Sequence, residues 1–191
     1  MKIKVIISFL IVSFGLVQCV EEDNTIPKPL GYFRIDFAEH TYSPYQSECP
    51  FSFESPNGAI LMDKPNSPSP CFKDLYYPNL KATVYLTYIS IDSNFAEISR
   101  FTDDKVYDHH TKASGILPRE FTNYEENVYG MSYSLEGNVA VNYLFYVTDS
   151  TNHYFAGQLY FETVPNYDSL QPCIEYIQED MQHLIETFKW K

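Results

Sequence analysis

The side chains with the plainest chemistry are the four cysteines. Cys19 follows a short positive start, Met1-Lys2-Ile3-Lys4, and an unbroken apolar or small run over residues 5–17. Such a run is too short for a membrane span and fits the core of a signal peptide. It stops at Leu16-Val17-Gln18-Cys19 and turns at once to Val20-Glu21-Glu22-Asp23. That order is a lipobox pattern. Residues 1–18 are expected to be cleaved as a lipoprotein signal peptide, and Cys19 to carry the lipid, a fatty acyl anchor such as palmitate. Gln18 stands where a small residue is usual. The alternative, ordinary signal-peptidase cleavage after Gly15, leaves Cys19 a free thiol.

Export places Cys49, Cys71 and Cys173 in an oxidising compartment. Cys49 and Cys71 bracket a loop rich in Pro, Ser and Asn, which has few ladder bonds of its own. A disulfide between them is expected, and closing a loop of that size stabilises by about 3 kcal/mol in the chain-entropy model. Cys173 is left unpaired near the start of a helix, where the dipole lowers a thiol pKa. Its plainer reading is a small hydrophobe at the edge of the apolar face.

The histidines invite a metal reading. His109-His110 with Asp104 and Asp108 is the densest cluster, but the two rings point about 100° apart on a helical wheel. No metal and no cofactor is expected. Glu179 and His183 lie four apart on a second helix, on the side opposite its apolar stripe, and read as a solvated face. Tyr76-Tyr77-Pro78 and the run from Tyr143 to Tyr146 could stack on sugars or simply fill a core. Asp149-Ser150-Thr151 and Asp168-Ser169-Leu170 match a short O-glycosylation pattern, making Ser150 and Ser169 candidate acceptors. A turn and a helix cap explain the same residues. The common catalytic signatures, a nucleophile elbow, a zincin helix or a phosphate-cradling glycine loop, are absent from the sequence.

The elements that must position these residues alternate in kind. Residues 20–29 form an extended, charged and proline-bearing tether. Phe33, Ile35 and Phe37 alternate as in a strand. Short strands around 51–53 and 59–62 flank Asn57-Gly58, a strong turn pair, and residues 81–91 are a clearer strand. The period then becomes helical over about 93–111, with Asp92 or Ser93 as cap and Gly115 just beyond the end. Three strands follow at about 126–134, 139–148 and 153–162, joined at 137–138 and 149–152. Residues 139–147 are apolar on both faces, which predicts a central strand. Leu170, Ile174, Ile177, Met181, Leu184, Ile185 and Phe188 fall within about 100° of a wheel. They predict a terminal helix capped by Asp168 or Ser169, with Pro172 in its first turn. The expected fold class is α+β, an antiparallel sheet packed by two helices. The expected division is a signal peptide over 1–18, a lipid-anchored tether over 19–29 and a single globular domain over 30–191.

The chain has 191 residues, 13 Lys plus Arg against 25 Asp plus Glu, and a net charge of −12. Loss of residues 1–18 removes Lys2 and Lys4, so −12 becomes −14. Nothing clusters cations as nucleic-acid binding requires. Repulsion from anionic lipid leaves the acyl chain to make the membrane attachment.

Several stretches together resemble the gliding-motility lipoprotein family GldD of the Bacteroidetes. They are Lys28-Pro29-Leu30-Gly31-Tyr32-Phe33-Arg34-Ile35-Asp36, Cys49-Pro50-Phe51-Ser52-Phe53-Glu54, Cys71, and Val128-Tyr129-Gly130-Met131. Further on come Gly157-Gln158-Leu159-Tyr160-Phe161, residues 165–172, and the tail Asp180-Met181-Gln182-His183-Leu184-Ile185-Glu186-Thr187-Phe188-Lys189-Trp190. Leu30 stands where the family's opening motif has Arg. The resemblance implies a non-catalytic envelope lipoprotein that supports gliding and the linked type IX secretion apparatus, with protein components of that machinery as partners. The resemblance carries over no catalytic residues; Val20 after Cys19 is not an inner-membrane retention Asp, so an outer-membrane anchor is expected, on the periplasmic rather than the outer side. The order of elements looks like the Mog1/PsbP fold. A function of a different class, glycan or peptidoglycan binding through the aromatics, is the alternative.

Overall fold

The computed structural model describes residues 35–109 and 111–191. In chain order these carry β1 (Tyr42–Tyr45), β2 (Phe51–Pro56), β3 (Ile60–Asp63), β4 (Lys73–Tyr77) and β5 (Ala82–Ser90). Then come α1 (Phe95–Tyr107), β6 (Gly115–Asn123), β7 (Val128–Glu136), β8 (Tyr143–Thr148), β9 (His153–Phe161), α2 (Tyr167–Glu186) and β10 (Lys189–Trp190). Seven strands form one sheet in the order β3-β4-β5-β9-β8-β7-β6, and β1-β2-β10 form a second, smaller one. Every pairing is antiparallel.

Alternation along β8 shows why the sheet is covered on both faces. Tyr143, Phe145 and Val147 enter the main core with Phe51, Phe53, Ile177, Met181, Leu184 and Phe188. Leu144 points the other way and joins Val106 of α1 with Tyr133 and Leu135. Strand side chains alternate faces, so a strand apolar at every position needs a layer on each side. The small sheet and α2 supply one layer and α1 the other. Gly157 lies opposite Phe145 in the β8–β9 register. A Cβ there would stand 2.3 Å from the Phe145 ring, so only glycine lets that ring lie across the middle of the sheet.

The terminal helix stands where the periodicity places it and the α+β class holds, while the central strand is shorter than expected, β8 starting at Tyr143 rather than near 139. The ends and the edges differ. Ile35, Asp36 and Phe37 are not in a strand, and residues 32–34 lie outside the described residues. Asn57-Gly58 is a turn, but it carries the chain from one sheet to the other: β2 pairs with β1 and β10, while β3 pairs with β4. Gly115 opens β6 rather than closing a helix, and α1 ends at Tyr107. The residue before α1 is Asn94, whose side chain makes no capping bond. Asn166 caps α2, its side chain accepting from the Ser169 N–H, so Pro172 falls inside the helix.

The disulfide joins Cys49, just before β2, to Cys71, just before β4, with their Cα atoms 5.7 Å apart. It therefore ties the small sheet to the large one. Cys173 is a free thiol buried in α2. Burial pushes its pKa up, which gives it the character of a small hydrophobe instead of a dipole-activated nucleophile.

The β8–β9 turn is built around Asp149. Its carboxylate accepts from the backbone N–H groups of Thr151, Asn152 and His153 at 3.0, 2.8 and 2.8 Å. Burial pushes the Asp149 pKa up, but these donors together outweigh it and hold the carboxyl below its ordinary value. A depressed folded-state pKa adds stability above the unfolded value of about 3.9, and that stability is lost as pH falls through the folded value. Asp149→Ala should cost about 1–2 kcal/mol at pH 7. The gap to wild type should be smaller at pH 3 than at pH 7, as urea titrations at the two pH values would show. A gap equal at both values would mean the charge is not what holds the turn.

Candidate functional site: a ring ladder and a polar cleft on the terminal helix

The flank of α2 beside its apolar stripe carries Tyr176, Asp180 and His183. The segment leading into β1 lies against this flank. Its rings, with Tyr42 of β1, and two rings of the helix form one stack. Phe37 lies on Tyr176 with centroids 4.8 Å apart, and Tyr176 lies on His40 at 4.3 Å. His40 faces Tyr42 at 6.4 Å, and Tyr42 lies on His183 at 3.6 Å. The planes of neighbouring rings differ by 12–25°.

A buried carboxylate pins the middle of this ladder. Asp180 is 1% exposed. Tyr77, on β4 and equally buried, donates its hydroxyl to Asp180 Oδ2 at 2.9 Å. His40 Nδ1 donates to Asp180 Oδ1 at 2.7 Å, and His40 Nε2 lies 3.3 Å from Glu179. Two charge-assisted bonds thus stand in for the water that this carboxylate has lost. Burial first, and the Asp180 charge after it, push the Tyr77 and Tyr42 hydroxyls well above the ordinary tyrosine value. At the far end His183 Nε2 reaches Glu54 of β2 at 2.6 Å.

Beside the ladder is a cleft of about 680 Å³, a volume within the range of small-molecule sites. Its walls come from the leading segment through His40 and Tyr42, from β6 and β7 through Arg119, Ser132 and Ser134, and from the outer face of α2. The groups on those walls bond mainly to one another. Arg119 donates to Gln182 at 3.0 Å, Gln182 to Glu186 at 2.7 Å and Gln178 to Ser134 at 3.2 Å. Both nitrogens of His40 face carboxylates of α2. Among the described residues no group of three His, Cys, Asp or Glu side chains is placed to hold a metal.

The residues singled out from sequence are spread over the molecule. Cys19 and His110 lie outside the described residues. His109 is half-buried just past α1, and Asp104 and Asp108 are exposed. Ser150 is exposed at the tip of the β8–β9 turn with a positive φ of 66°. Ser169 is exposed in the first turn of α2. Tyr77 and Tyr143 are core residues, and Tyr146 stacks on Tyr154 at 5.2 Å, so these rings pack the interior. Glu179 is exposed as expected, with 69% of its side chain accessible. His183 is not simply solvated: it is half-buried between Tyr42 and Glu54.

Sequence reasoning missed the ladder and its carboxylate. One signal was available. Asp180 stands one residue from Met181 and one turn from Ile177 and Leu184, beside the densest apolar stripe in the chain. A carboxylate so placed needs buried partners. The partners themselves, His40 and Tyr77, lie 140 and 103 residues away in sequence.

The fold has a solved counterpart. The solution structure of PsbP (CyanoP) from the cyanobacterium Synechocystis sp. PCC 6803 superposes with a TM-score of 0.50 at 13% identity, covering 85% of this chain and 99% of that one. The likeness shows the architecture alone, α+β of the Mog1/PsbP type. No curated protein matches the chain. The family model described as gliding motility lipoprotein GldD, by contrast, runs through residues 22–190, taking in the leading segment, both strands of the disulfide staple and the whole of α2. With a match of that extent, the chain belongs to the gliding motility lipoprotein GldD family.

Proposed function

We propose that the protein is a non-catalytic support component of the gliding apparatus and of the linked type IX secretion system, held in the envelope by a lipid on Cys19. The observation that carries this reading is the family match over residues 22–190. The chemistry of the cleft agrees with it. Acid–base or nucleophilic catalysis needs a group free to face substrate, whereas the His40 nitrogens, Arg119 and the two glutamines are engaged within the fold. The anchor stands in the outer membrane with the domain on the periplasmic side. The residue after Cys19 is Val20 rather than an inner-membrane retention Asp, and the acidic tether acts as a solvated spacer. The partners are protein components of the same machinery.

Replacing the anchor residue tests the assignment. Cys19→Ala should lose labelling by a fatty-acid probe and leave the membrane fraction, and cells carrying it should stop gliding and secrete type IX cargo poorly. Equal labelling of the variant would reject Cys19 as the acyl site. Normal gliding by an unlabelled variant would reject the lipid as part of the function.

A further inference from the structure

We propose that residues 35–41 are a releasable strap, a joint between the anchor tether and the body that lets go of α2 while the body stays folded. The proposal rests on the lipid-anchor reading only for its purpose. The joint itself is visible in the fold.

Three observations carry it. The segment has no strand or helix of its own, so no backbone ladder holds it in place. Its hold on the body is made by side chains at intervals and, at its last residue, by one backbone bond beside the β1–β2 pairing. Phe37 and His40 sandwich the Tyr176 ring, His40 bonds to Asp180 and Glu179, and Thr41 accepts from the Asn57 backbone N–H at 2.8 Å. The third observation is that the hold sits at the rim of the core, which it meets through the buried Asp180 carboxylate and the edge-packed Tyr176 ring. Tyr176 and His40 are only half-buried and Phe37 is 37% exposed, while the apolar stripe of α2 is covered by β2, β4, β5, β8 and β9. Local openings in proteins draw on segments with few buried contacts and no ladder bonds. This one lies at the amino-terminal end of the described domain, on the side of the chain that carries Cys19.

Release has a defined geometry. Seven residues at up to about 3.4 Å each add about 24 Å to the reach of the tether. It also uncovers the Tyr176 face of α2 and takes His40 from the wall of the cleft. The strap therefore sets two things together: how far the domain can stand from its membrane, and whether the cleft has its full wall.

Two measurements on the soluble mature chain, residues 19–191 with Cys19→Ser, test the joint without any lipid. The first is cutting after Glu39 by a glutamate-specific protease. In the wild type the cut should be slow. Tyr176→Ala removes the ring at the centre of the sandwich from a half-exposed helical site, and should speed the cut ten-fold or more, well beyond the small fall in urea midpoint expected for a ring at the edge of the core. Phe37→Ala should act in the same direction and lies outside the helix. Equal cutting rates in wild type and both variants would overturn the proposal. So would cutting whose urea dependence matches that of global unfolding. The second measurement pulls the same chain by its ends in an optical trap. A first extension of about 24 Å should precede the main rip and should vanish in Tyr176→Ala. A single event with no early step would show that strap and body part together.

Discussion

Ile177→Asp should remove the protein from cells. Ile177 is fully buried in α2, among Met181, Leu184 and the apolar face of the large sheet. A carboxylate there has no partner to meet, and an unpaired buried charge costs several kcal/mol. Asp180, one turn on and just as buried, adds like-charge repulsion. A domain of this size has only about 5–15 kcal/mol of net stability, so most of the variant should be unfolded and proteolysed, and gliding should fail with it. Ile177→Val, which costs about 0.5–1.5 kcal/mol, should keep both abundance and gliding. Immunoblots of the two strains decide the matter: normal abundance of Ile177→Asp would mean that α2 is not what closes the core.

Asp180→Leu should cost about 2–4 kcal/mol, because it strands a buried tyrosine hydroxyl and an imidazole that both donate to this carboxylate. The loss belongs to the pair with Tyr77 and should show as coupling. Tyr77→Phe in the Asp180→Leu background should then cost little further, since the hydroxyl it removes already lacks an acceptor. The double variant should be more stable than the sum of the single effects by over 1 kcal/mol, read from urea midpoints. Additivity within about 0.5 kcal/mol would show that the bond carries no net stability.

Reading such a site from sequence fails for a physical reason that α2 itself illustrates. The helix was legible because its apolar residues recur within twenty positions. β8 was legible because a run apolar at every position must lie between layers. β6 offered no such pattern: it is an edge strand, mostly exposed, with Pro118 in its middle. β1 and β10 are four and two residues long and exist through their pairing with β2. The alternation that ends in Ile35 and Phe37 reads as a strand, but these two residues are in none. Phe37 spends its apolar face on a tyrosine of α2 instead of on a sheet. The disulfide was legible because both cysteines border one loop. The ladder was not, since its rungs come from both ends of the domain, three from before β2 and two from α2. What sequence could show was the anomaly, a lone Asp on the flank of an apolar stripe, without the histidine and tyrosine that satisfy it.

The placement of β10 against β2, with α2 lying over the large sheet just before it, has a consequence for biogenesis. A chain exported amino end first delivers the five strands β1 to β5 early. The partner of β5 is β9, however, and the cover over both is α2. Until residues 167–190 are delivered, β2 can lay Phe51 and Phe53 on Phe155 of β9, but the rest of that core face lacks the apolar stripe of α2. Folding is therefore a terminal event, set by the passage of the tail and not by the start of translocation. The half-delivered chain carries its partly open sheet through that interval, exposed to aggregation until the tail arrives. Only the loop between Cys49 and Cys71 can be closed ahead of time, because both of its ends arrive early.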